Sequence, residues 1–398
     1  MENYIPKIRF KGAYNENGEW VEFTHPWEQR KVSELSEKTF GGGTPKTSND
    51  SFWKGNIPWI QSSDLVEGSL FDVEPRKYIS QEAVNKSATK LVPEKSVAIV
   101  TRVGVGKLAF MPFSYATSQD FLSLSVLKTE PQFTVYALYK KLQSELNAVQ
   151  GTSIKGVTKD ELLAKEVMIP CYKEQEKIGS YLHSLDHLIT LHQHKCELYQ
   201  QSKQSMMEKL FTQSICFTSE NGNEFPKWIE KTLQDLENEN KITLNRGNII
   251  PKSEGKYPVY SASTKNNGLM CYSDKYMFDE ELITWSIDGG GDFFYRPKHK
   301  FSITNVSGYI KIIDQNYLIY KYLAYQLQYL HNFLRFDYLS KAHPSVIREL
   351  YTVHIPYLEE QIKIANILSK YDELIAISKN QLNTLQTLKK GLLQQMFV

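Results

Sequence analysis

The sequence predicts an α+β protein in which two globular modules of mixed helix and strand alternate with two long helices. Three observations predict this arrangement. The segment after Ile169-Pro170 is repeated after Ile355-Pro356, both copies carry a coiled-coil pattern, and the segments between them are rich in strand-forming residues. A repeated pair of module and helix implies an internal pseudo-two-fold repeat.

The repeat covers about forty residues without a gap, and paired positions differ by 186 in number, as Ile355 does from Ile169. The identical pairs are Glu174/Glu360, Gln175/Gln361, Lys177/Lys363, Ile178/Ile364, Leu182/Leu368, Asp186/Asp372, Leu188/Leu374, Ile189/Ile375, Gln200/Gln386, Lys203/Lys389 and Phe211/Phe397. A weaker echo opens each half, where Trp27 and Leu35 match Trp228 and Leu236 in spacing. The residues between these anchors show almost no similarity, so the frame is repeated while its contents differ.

Both copies of the repeat contain a row of mostly apolar residues spaced alternately four and three positions apart, which is the spacing of a coiled-coil seam. The first seam is Ile178, Leu182, Leu185, Ile189, His192, Cys196, Tyr199, Lys203, Met206 and Leu210, and the second is Ile364, Leu368, Tyr371, Ile375, Ser378, Leu382, Leu385, Lys389, Leu392 and Met396. No proline interrupts either run. Each run predicts a helix of nearly forty residues, roughly 50 to 60 Å long.

The two seams offer each other matching apolar surface, so we expect the two helices to pair antiparallel within one chain, with a module at each end. The alternative is that each helix packs only on its own module or on another protein. Polar residues at matched seam positions, His192 with Ser378 and Lys203 with Lys389, either determine the register or are simply solvated.

The predicted boundaries follow the repeat. They are an N-terminal extension at 1–25, a first module at 26–170, a central long helix at 171–213, a second module with its lead-in linker at 214–356, and a C-terminal long helix at 357–398. Strand-like segments are Ser96–Val103, Phe121–Leu127, Glu281–Ile287 and Val306–Ile313, and helices are expected at Thr134–Val149 and Asn316–Phe336. Polar loops at 151–156 and 340–345 precede the shared Ile-Pro at matching places, which indicates matching use.

Composition limits the possible classes of protein. Of the 398 residues, 41% are hydrophobic and 12% aromatic, and no apolar run reaches the ~18 residues of a membrane span. The first ten residues do not resemble a secretory signal, so a cytoplasmic location is expected. The four cysteines are scattered and predict free thiols and no metal site. Because the net charge is only +2, any DNA contact depends on local basic residues.

The motifs of catalysis are missing from the sequence. Val103-Gly-Val-Gly-Lys107 lacks the spacing of a phosphate-binding loop, and Leu108 stands where Ser or Thr would coordinate magnesium. Asp288-Gly-Gly-Gly-Asp292 is interpreted as a tight turn. Neither a zinc-protease nor a serine-hydrolase motif occurs. The chain is therefore predicted to be non-catalytic.

The repeated frame Ile-Pro, Glu-Gln, Lys-Ile, Leu and Asp resembles the conserved regions of type I restriction-modification specificity subunits. In the first module, Gly43-Thr-Pro45, the run from Phe52 to Trp59, and Ser63-Asp-Leu65 resemble a target recognition domain. The second module is similar to a different subclass of this domain. The resemblance spans nearly the whole chain.

The resemblance implies a non-catalytic, sequence-specific DNA-binding subunit for a system of DNA methylation and phage defence. Two target recognition domains would bind the two half-sites of a bipartite, asymmetric site on double-stranded DNA, with the helical pair setting their spacing. The helices would dock two modification (methyltransferase) subunits, and restriction (translocase/nuclease) subunits would join them. S-adenosylmethionine, ATP and magnesium would belong to those partner subunits, with no cofactor in this chain.

Three other classes of protein stay open at this point. The chain could be the recognition subunit of a type IIB-like restriction enzyme, a coiled-coil scaffold whose modules bind proteins, or a true nuclease or methyltransferase. For a DNA-binding chain, the candidate contact residues lie on loops and basic clusters. They are Lys46, Ser62, Arg102, Lys107, Thr152 and Lys155 in the first module, and Lys265, Asn266, Arg296, Lys298, Lys341 and His343 in the second.

Overall fold

A computed structural model describes residues 5–148, 156–219, 221–250, 254–263, 265–288, 290–334, 336 and 341–397. It divides into two compact units. The first unit holds the described residues of Met1–His192 and Gln381–Val398, and the second holds those of Gln193–Asn380. Each unit therefore contains one module and part of each long helix, whereas the predicted boundaries at 171, 214 and 357 follow the sequence repeat.

The first unit is built mainly from short antiparallel strands. The strands are β1 (Gly12–Tyr14), β2 (Trp20–Glu22), β3 (Glu28–Lys31), β4 (Ser36–Gly41), β5 (Ile57–Ile60), β6 (Lys77–Ile79), β7 (Ser96–Val100), β8 (Leu108–Met111), β9 (Ala116–Thr117), β10 (Phe121–Leu127) and β11 (Glu166–Ile169), and the helices are α1 (Gln81–Lys86), α2 (Pro131–Ala148), α3 (Lys159–Ala164) and the first half of α4 (Tyr172–Phe211). The sheets have the orders β4-β10-β7-β8, β6-β5-β9, β11-β3 and β1-β2.

The second unit has one larger sheet, of order β13-β18-β16-β17-β14-β15, and the pair β12-β19. Its strands are β12 (Ile229–Thr232), β13 (Ile242–Arg246), β14 (Tyr257–Tyr260), β15 (Leu269–Ser273), β16 (Phe278–Ser286), β17 (Phe293–Ile303), β18 (Ser307–Ile312) and β19 (Thr352–Ile355), and its helices are α5 (Leu233–Asn238), α6 (Tyr320–His331), α7 (Pro344–Leu350) and the first part of α8 (Leu358–Gln395). The strands and helices predicted inside both modules are confirmed, with ends that shift by a few residues.

The two modules share one strand topology despite their unrelated sequences. The order β4-β10-β7-β8 corresponds to β13-β18-β16-β17, and β6-β5-β9 corresponds to β15-β14-β17. In both modules the central pairing is parallel, between β5 and β9 and between β14 and β17. The long strand β17 therefore occupies the positions of both β8 and β9 in the first module. The prediction that the second module is a different version of the same domain agrees with this topology.

The predicted seams are the inward-facing rows of α4 and α8. In the first unit, Ile178, Leu182, Leu185 and Ile189 are buried in one cluster with Leu392, Met396 and core residues of the module. In the second unit, Leu210 is buried with Ile364 and Leu368, while Tyr371 and Ile375 are half-buried. Each helix therefore packs both on the other helix and on a module. Among the described residues, no helix combines the length and apolar character needed to cross a bilayer.

Each long helix begins with a buried Glu-Gln pair that joins it to its module. Glu174 accepts the indole N–H of Trp27 at 3.4 Å, and Glu360 accepts that of Trp228 at 2.9 Å. The amides of the glutamines donate to the carbonyls of the preceding prolines, Gln175 to Pro170 at 2.8 Å and Gln361 to Pro356 at 3.0 Å. The same glutamines accept the backbone N–H groups of Glu130 and Ile319, just before α2 and α6. The repeated residues are therefore the contacts between helix and module.

The seam lysines are paired with aspartates of the opposite helix. In the first unit, Lys389 lies 2.5 Å from Asp186, which also accepts the Tyr136 hydroxyl at 2.6 Å. Burial, and then the nearby carboxylate, raise the pKa of Tyr136, so its hydroxyl stays protonated and donates.

The second unit repeats the arrangement with Lys203, Asp372 and Tyr325, each lysine–aspartate and tyrosine–aspartate distance being 2.6 Å. In each unit the end of one long helix lies beside the start of the other, so the two helices pair antiparallel. The aromatic residue at the end of each helix contacts a module, Phe397 at Trp27 and Phe211 at Tyr322. The lysines therefore make specific cross-helix pairs. Ser378 is buried and His192 half-buried, so neither is simply solvated.

We expect Lys389→Met to lower the free energy of unfolding by about 1–3 kcal/mol, because Asp186 loses its charged donor in a largely buried setting. Urea denaturation followed by circular dichroism measures this change. Lys390→Met, at the neighbouring exposed position, should stay within about 0.5 kcal/mol of the unsubstituted protein. Equal losses in both variants would contradict a specific pair at Lys389.

Candidate nucleic-acid interface

The Gly43-Thr-Pro45 motif closes the end of β4 against its neighbours. The Gly43 carbonyl accepts the indole N–H of Trp59 at 3.0 Å and also the Thr89 hydroxyl. A side chain at Gly43 would lie 2.6 Å from the backbone of Ala88, so only glycine fits there. The motif residues are therefore structural, and they place Thr44 at the rim of a cleft.

This cleft has a volume of about 910 Å³ and opens beside the ends of β5 and β9. Its lining combines cations, carboxamides and aromatic rings, namely Lys54, Arg76, Lys77, Gln61, Gln119 and Trp53. Trp53 meets Trp59 edge to face at 4.9 Å, and the Lys77 ammonium lies 5.8 Å from each ring. Cations bind phosphates, and carboxamides bind base edges, so the lining suits a nucleic acid.

Four predicted contact residues of the first module lie on or near this cleft. Ser62 lines it, and Lys46 is exposed close by. Arg102 is exposed and lines an adjoining cleft of about 340 Å³ together with Gln119 and Gly156. Lys107 is different, because its half-buried ammonium donates to the carbonyls of Ser62 at 3.2 Å and Leu65 at 2.8 Å. Lys107 therefore positions the Ser62 turn. The predicted Thr152 and Lys155 lie outside the described residues.

The second module presents the opposite charge at equivalent loop positions. Val100 donates its backbone N–H to the carbonyl of Lys107, and Ser286 donates to that of Asp292, so Lys107 and Asp292 are equivalent. Arg102 and Asp288 are equivalent as well, because each follows the donor residue by two positions. Asp288 lies 2.9 Å from Lys341, and Asp292 lies 3.5 Å from His331. Burial lowers the pKa of His331, although Asp292 opposes that shift. The exposed cations of the second module therefore lie on other segments of the fold than the exposed cations of the first module.

The loops that precede the shared Ile-Pro occupy matching places. Val157 donates its backbone N–H to Thr101 at 2.7 Å, and Ala342 donates to Ile287 at 3.1 Å. The predicted correspondence of the two loops is confirmed at these described ends. Lys341 and His343 are both exposed there, and the imidazole of His343 lies 3.0 Å from the Ser345 hydroxyl.

Arg296 is a correction to the predicted contact residues, because it is buried with only 2% of its surface exposed. Its guanidinium lies 3.7 Å from the centre of the Tyr260 ring and 4.9 Å from that of Phe294, and its Nε donates to Thr284 at 3.0 Å. Burial lowers the pKa of Arg296 to about 10. Because strand alternation turns this residue inward, it packs between Tyr260 and Phe294 and does not face a phosphate.

Two further predicted residues of the second module, Lys298 and Asn266, lie on its surface, and the side chain of the predicted Lys265 lies outside the described part of the chain. Lys298 is exposed two residues further along β17. Asn266 is exposed in a turn that begins at Lys265, where its φ of 48° is left-handed.

Arg76, Gln61 and Gln119 are contact candidates that sequence reasoning missed. They come from separate segments and meet only because β5 lies between β6 and β9. The one available signal was position, since Gln61 lies two residues after the Phe52–Trp59 run of the recognition motif.

The sequence model described as "Type I restriction modification DNA specificity domain" matches residues 24–198 and 226–387. The type I restriction enzyme MjaIX specificity subunit of Methanocaldococcus jannaschii is 24% identical over 63% of this chain, and the alignment covers 59% of that relative's length, which is less than two thirds. The putative type I restriction enzyme MjaX specificity subunit of the same organism is 25% identical over 94% of this chain and 93% of its own length.

Two solved structures share the fold of this chain. The S subunit of a type I restriction-modification system from M. genitalium aligns with a TM-score of 0.64 at 17% identity, over 99% of each chain. A chain from a structural study of complex assembly and conformational transition of the type I R-M system aligns with a TM-score of 0.56 at 16% identity, over 94% of this chain and 98% of that one.

We expect Lys107→Met to lower the free energy of unfolding by about 1–3 kcal/mol, because the carbonyls of Ser62 and Leu65 lose their charged donor. Arg102→Met in the same loop should change it by no more than about 0.5 kcal/mol, since that side chain is exposed. Chemical denaturation of both variants measures the difference. If Arg102→Met proved the more damaging substitution, the positioning role of Lys107 would be wrong.

Proposed function

Because this chain belongs to the type I restriction modification DNA specificity domain family, we propose that it is the sequence-specific DNA-binding subunit of a type I restriction-modification complex. It would recognise a bipartite, asymmetric site, with one module on each half-site. One observation carries the proposal: the modules share their strand topology and hydrogen bonds but present unlike side chains at equivalent loop positions.

A common scaffold with different loops suits the recognition of two different short sequences. Phosphate contacts position a protein on DNA, and side chains that reach base edges distinguish sequences. The change from Arg102 to Asp288 at equivalent positions changes which groups can donate or accept at the interface. Lys46, Arg102 and Lys298 are exposed cations suited to phosphate contacts in this proposal.

The catalytic chemistry in this proposal belongs to partner subunits. Two modification subunits would hold S-adenosylmethionine and methylate the DNA, and restriction subunits would supply ATP- and magnesium-dependent translocation and cleavage. This chain would contribute target recognition alone, and the complex would act in the cytoplasm.

The long helices carry a repeated row of exposed apolar residues that flanks the seam, which suits the docking of two equivalent partners. On α4, Leu188 is 45% exposed and Leu191 is 51% exposed. On α8, the repeat-equivalent Leu374 is 40% exposed and Ile377 is 55% exposed. Exposed large apolar residues at matched positions are typical of a protein interface, and we assign these rows to the two modification subunits.

The recognition proposal is tested by selection from a pool of duplexes with a randomised region, using the chain assembled with its modification subunits. We expect two different short sequences to be enriched, separated by a stretch of unspecified sequence of constant length. The enriched duplex should bind at least about a thousand-fold more tightly than random DNA.

A protein scaffold would enrich no sequence in the same selection, and a palindromic site would contradict the assignment of unlike modules to unlike half-sites. Replacing residues 226–353 by the second module of another specificity subunit supplies a control. Only one of the two enriched half-sites should change in that chimera.

We expect Leu191→Glu and Ile377→Glu each to remove one of the two modification subunits, because a carboxylate in an apolar interface is costly to desolvate. Native mass spectrometry of the purified complex measures the subunit ratio. Leu198→Glu is the matched control, since Leu198 is 51% exposed but its repeat-equivalent position holds Thr384. Retention of both modification subunits in the double variant would refute the docking assignment.

A further inference from the structure

We infer that Gln119 and Asn305 are base-contacting residues, one for each half-site, and that Thr44 and Arg246 hold them in place. This inference rests on the proposed function. It names the residues by which each module distinguishes bases at one position of its half-site.

The two residues are topologically equivalent although the module sequences cannot be aligned. Gly42 donates to Phe121 and Gly247 donates to Ser307, which aligns the edge strands β4 and β13. The bond from Thr101 to Asp120 has its counterpart in the bond from Ile287 to Val306, at 2.7 and 3.0 Å.

On the other side, Ser118 donates to Ile60 and Thr304 donates to Tyr260, both at 3.0 Å. Gln119 and Asn305 each lie between these matched hydrogen bonds, with no insertion in either module. Both are exposed carboxamides at the same point of the fold.

The carboxamide of Gln119 has a defined orientation in its cleft. Its Oε1 accepts the Thr44 hydroxyl at 2.5 Å, so the oxygen end is engaged and the amide nitrogen is left to donate. Gln119 lines both the 910 Å³ cleft and the smaller cleft that contains Arg102. Asp120, the next residue in the chain, also lines the larger cleft, and its carboxylate disfavours a phosphate at the Gln119 amide itself. A base edge is therefore the better ligand for this amide.

A different interaction holds Asn305 at the equivalent position of the second module. Arg246, at the end of β13, donates from Nε at 3.3 Å and from its terminal nitrogen at 2.8 Å to the backbone carbonyl of Asn305. In both modules the support thus comes from the end of the equivalent edge strand or from the segment that follows it. The two sequences thus support an exposed carboxamide residue at the same point of the fold by unrelated contacts, one to its side chain and one to its backbone.

An amide that donates its N–H groups selects bases that present acceptors in the major groove, which are purine N7, guanine O6 and thymine O4. Gln119 accordingly favours an acceptor at one position of the first half-site, and Asn305 contacts one position of the second. Thr44 does not contact the base in this scheme. It positions the amide that does.

The test is duplex selection with the chain assembled with its modification subunits, carried out for Gln119→Leu, Thr44→Val and Asn305→Leu. Gln119→Leu should lose roughly 5- to 150-fold of its base preference at one position of one half-site. Thr44→Val should relax the same position to a smaller degree, because the amide is then free to turn over. Asn305→Leu should relax one position of the other half-site only.

Gln81→Leu removes an exposed carboxamide of the first module that does not line the cleft, and its selected site should equal that of the unsubstituted chain. The proposed function fails if the unsubstituted assembly enriches no bipartite sequence. The present inference fails separately if that enrichment occurs but the Gln119 and Asn305 variants keep the full site, or weaken binding to every sequence alike. Circular dichroism of each variant confirms that it is folded.

Discussion

A carboxylate buried in the first turn of each long helix is the constraint on which the rest of each unit depends. Glu174 and Glu360 are 0% and 3% exposed, and a buried carboxylate is costly unless donors surround it. The donors come from the residues that lead into each module. Trp27 and Trp228 supply an indole N–H, and this fixes where the module begins relative to its helix. Burial raises the pKa of Glu360, although Trp228 opposes the shift.

The segment that precedes each module is bonded to the start of a long helix, and the two copies use different interactions for this. Arg9 makes two hydrogen bonds of 2.7 Å to Glu174 and thereby ties the residues before the first module to the start of α4. In the second unit, Lys363 instead donates to the carbonyl of Thr218 at 2.7 Å, which ties down the segment before the second module. The same requirement, to secure the entry to a module, is thus met by an ion pair in one copy and by a neutral acceptor in the other.

The two modules have the same strand framework but different loop side chains. Strand order and the backbone hydrogen bonds around β5 and β14 are common to the modules, while the side chains at the loop positions include opposite charges. Because backbone bonds place the loops, a change of side chain there does not disturb the sheet. This separation between a fixed scaffold and variable loops allows one fold to carry two recognition surfaces.

The sequence by itself determined the two long helices, their seams and the repeated contact residues, because helical periodicity is local and the repeat presents it twice. It also predicted that the polar segments ending near Gly156 and beginning near Lys341 occupy matching places before the shared Ile-Pro. Only the tertiary structure decided that the modules share a topology, that Arg296 is buried and that Lys107 supports a turn. The equivalence of Gln119 and Asn305 was equally hidden. Strand order and burial depend on pairings between residues far apart in the chain, and no local pattern in one sequence specifies those pairings.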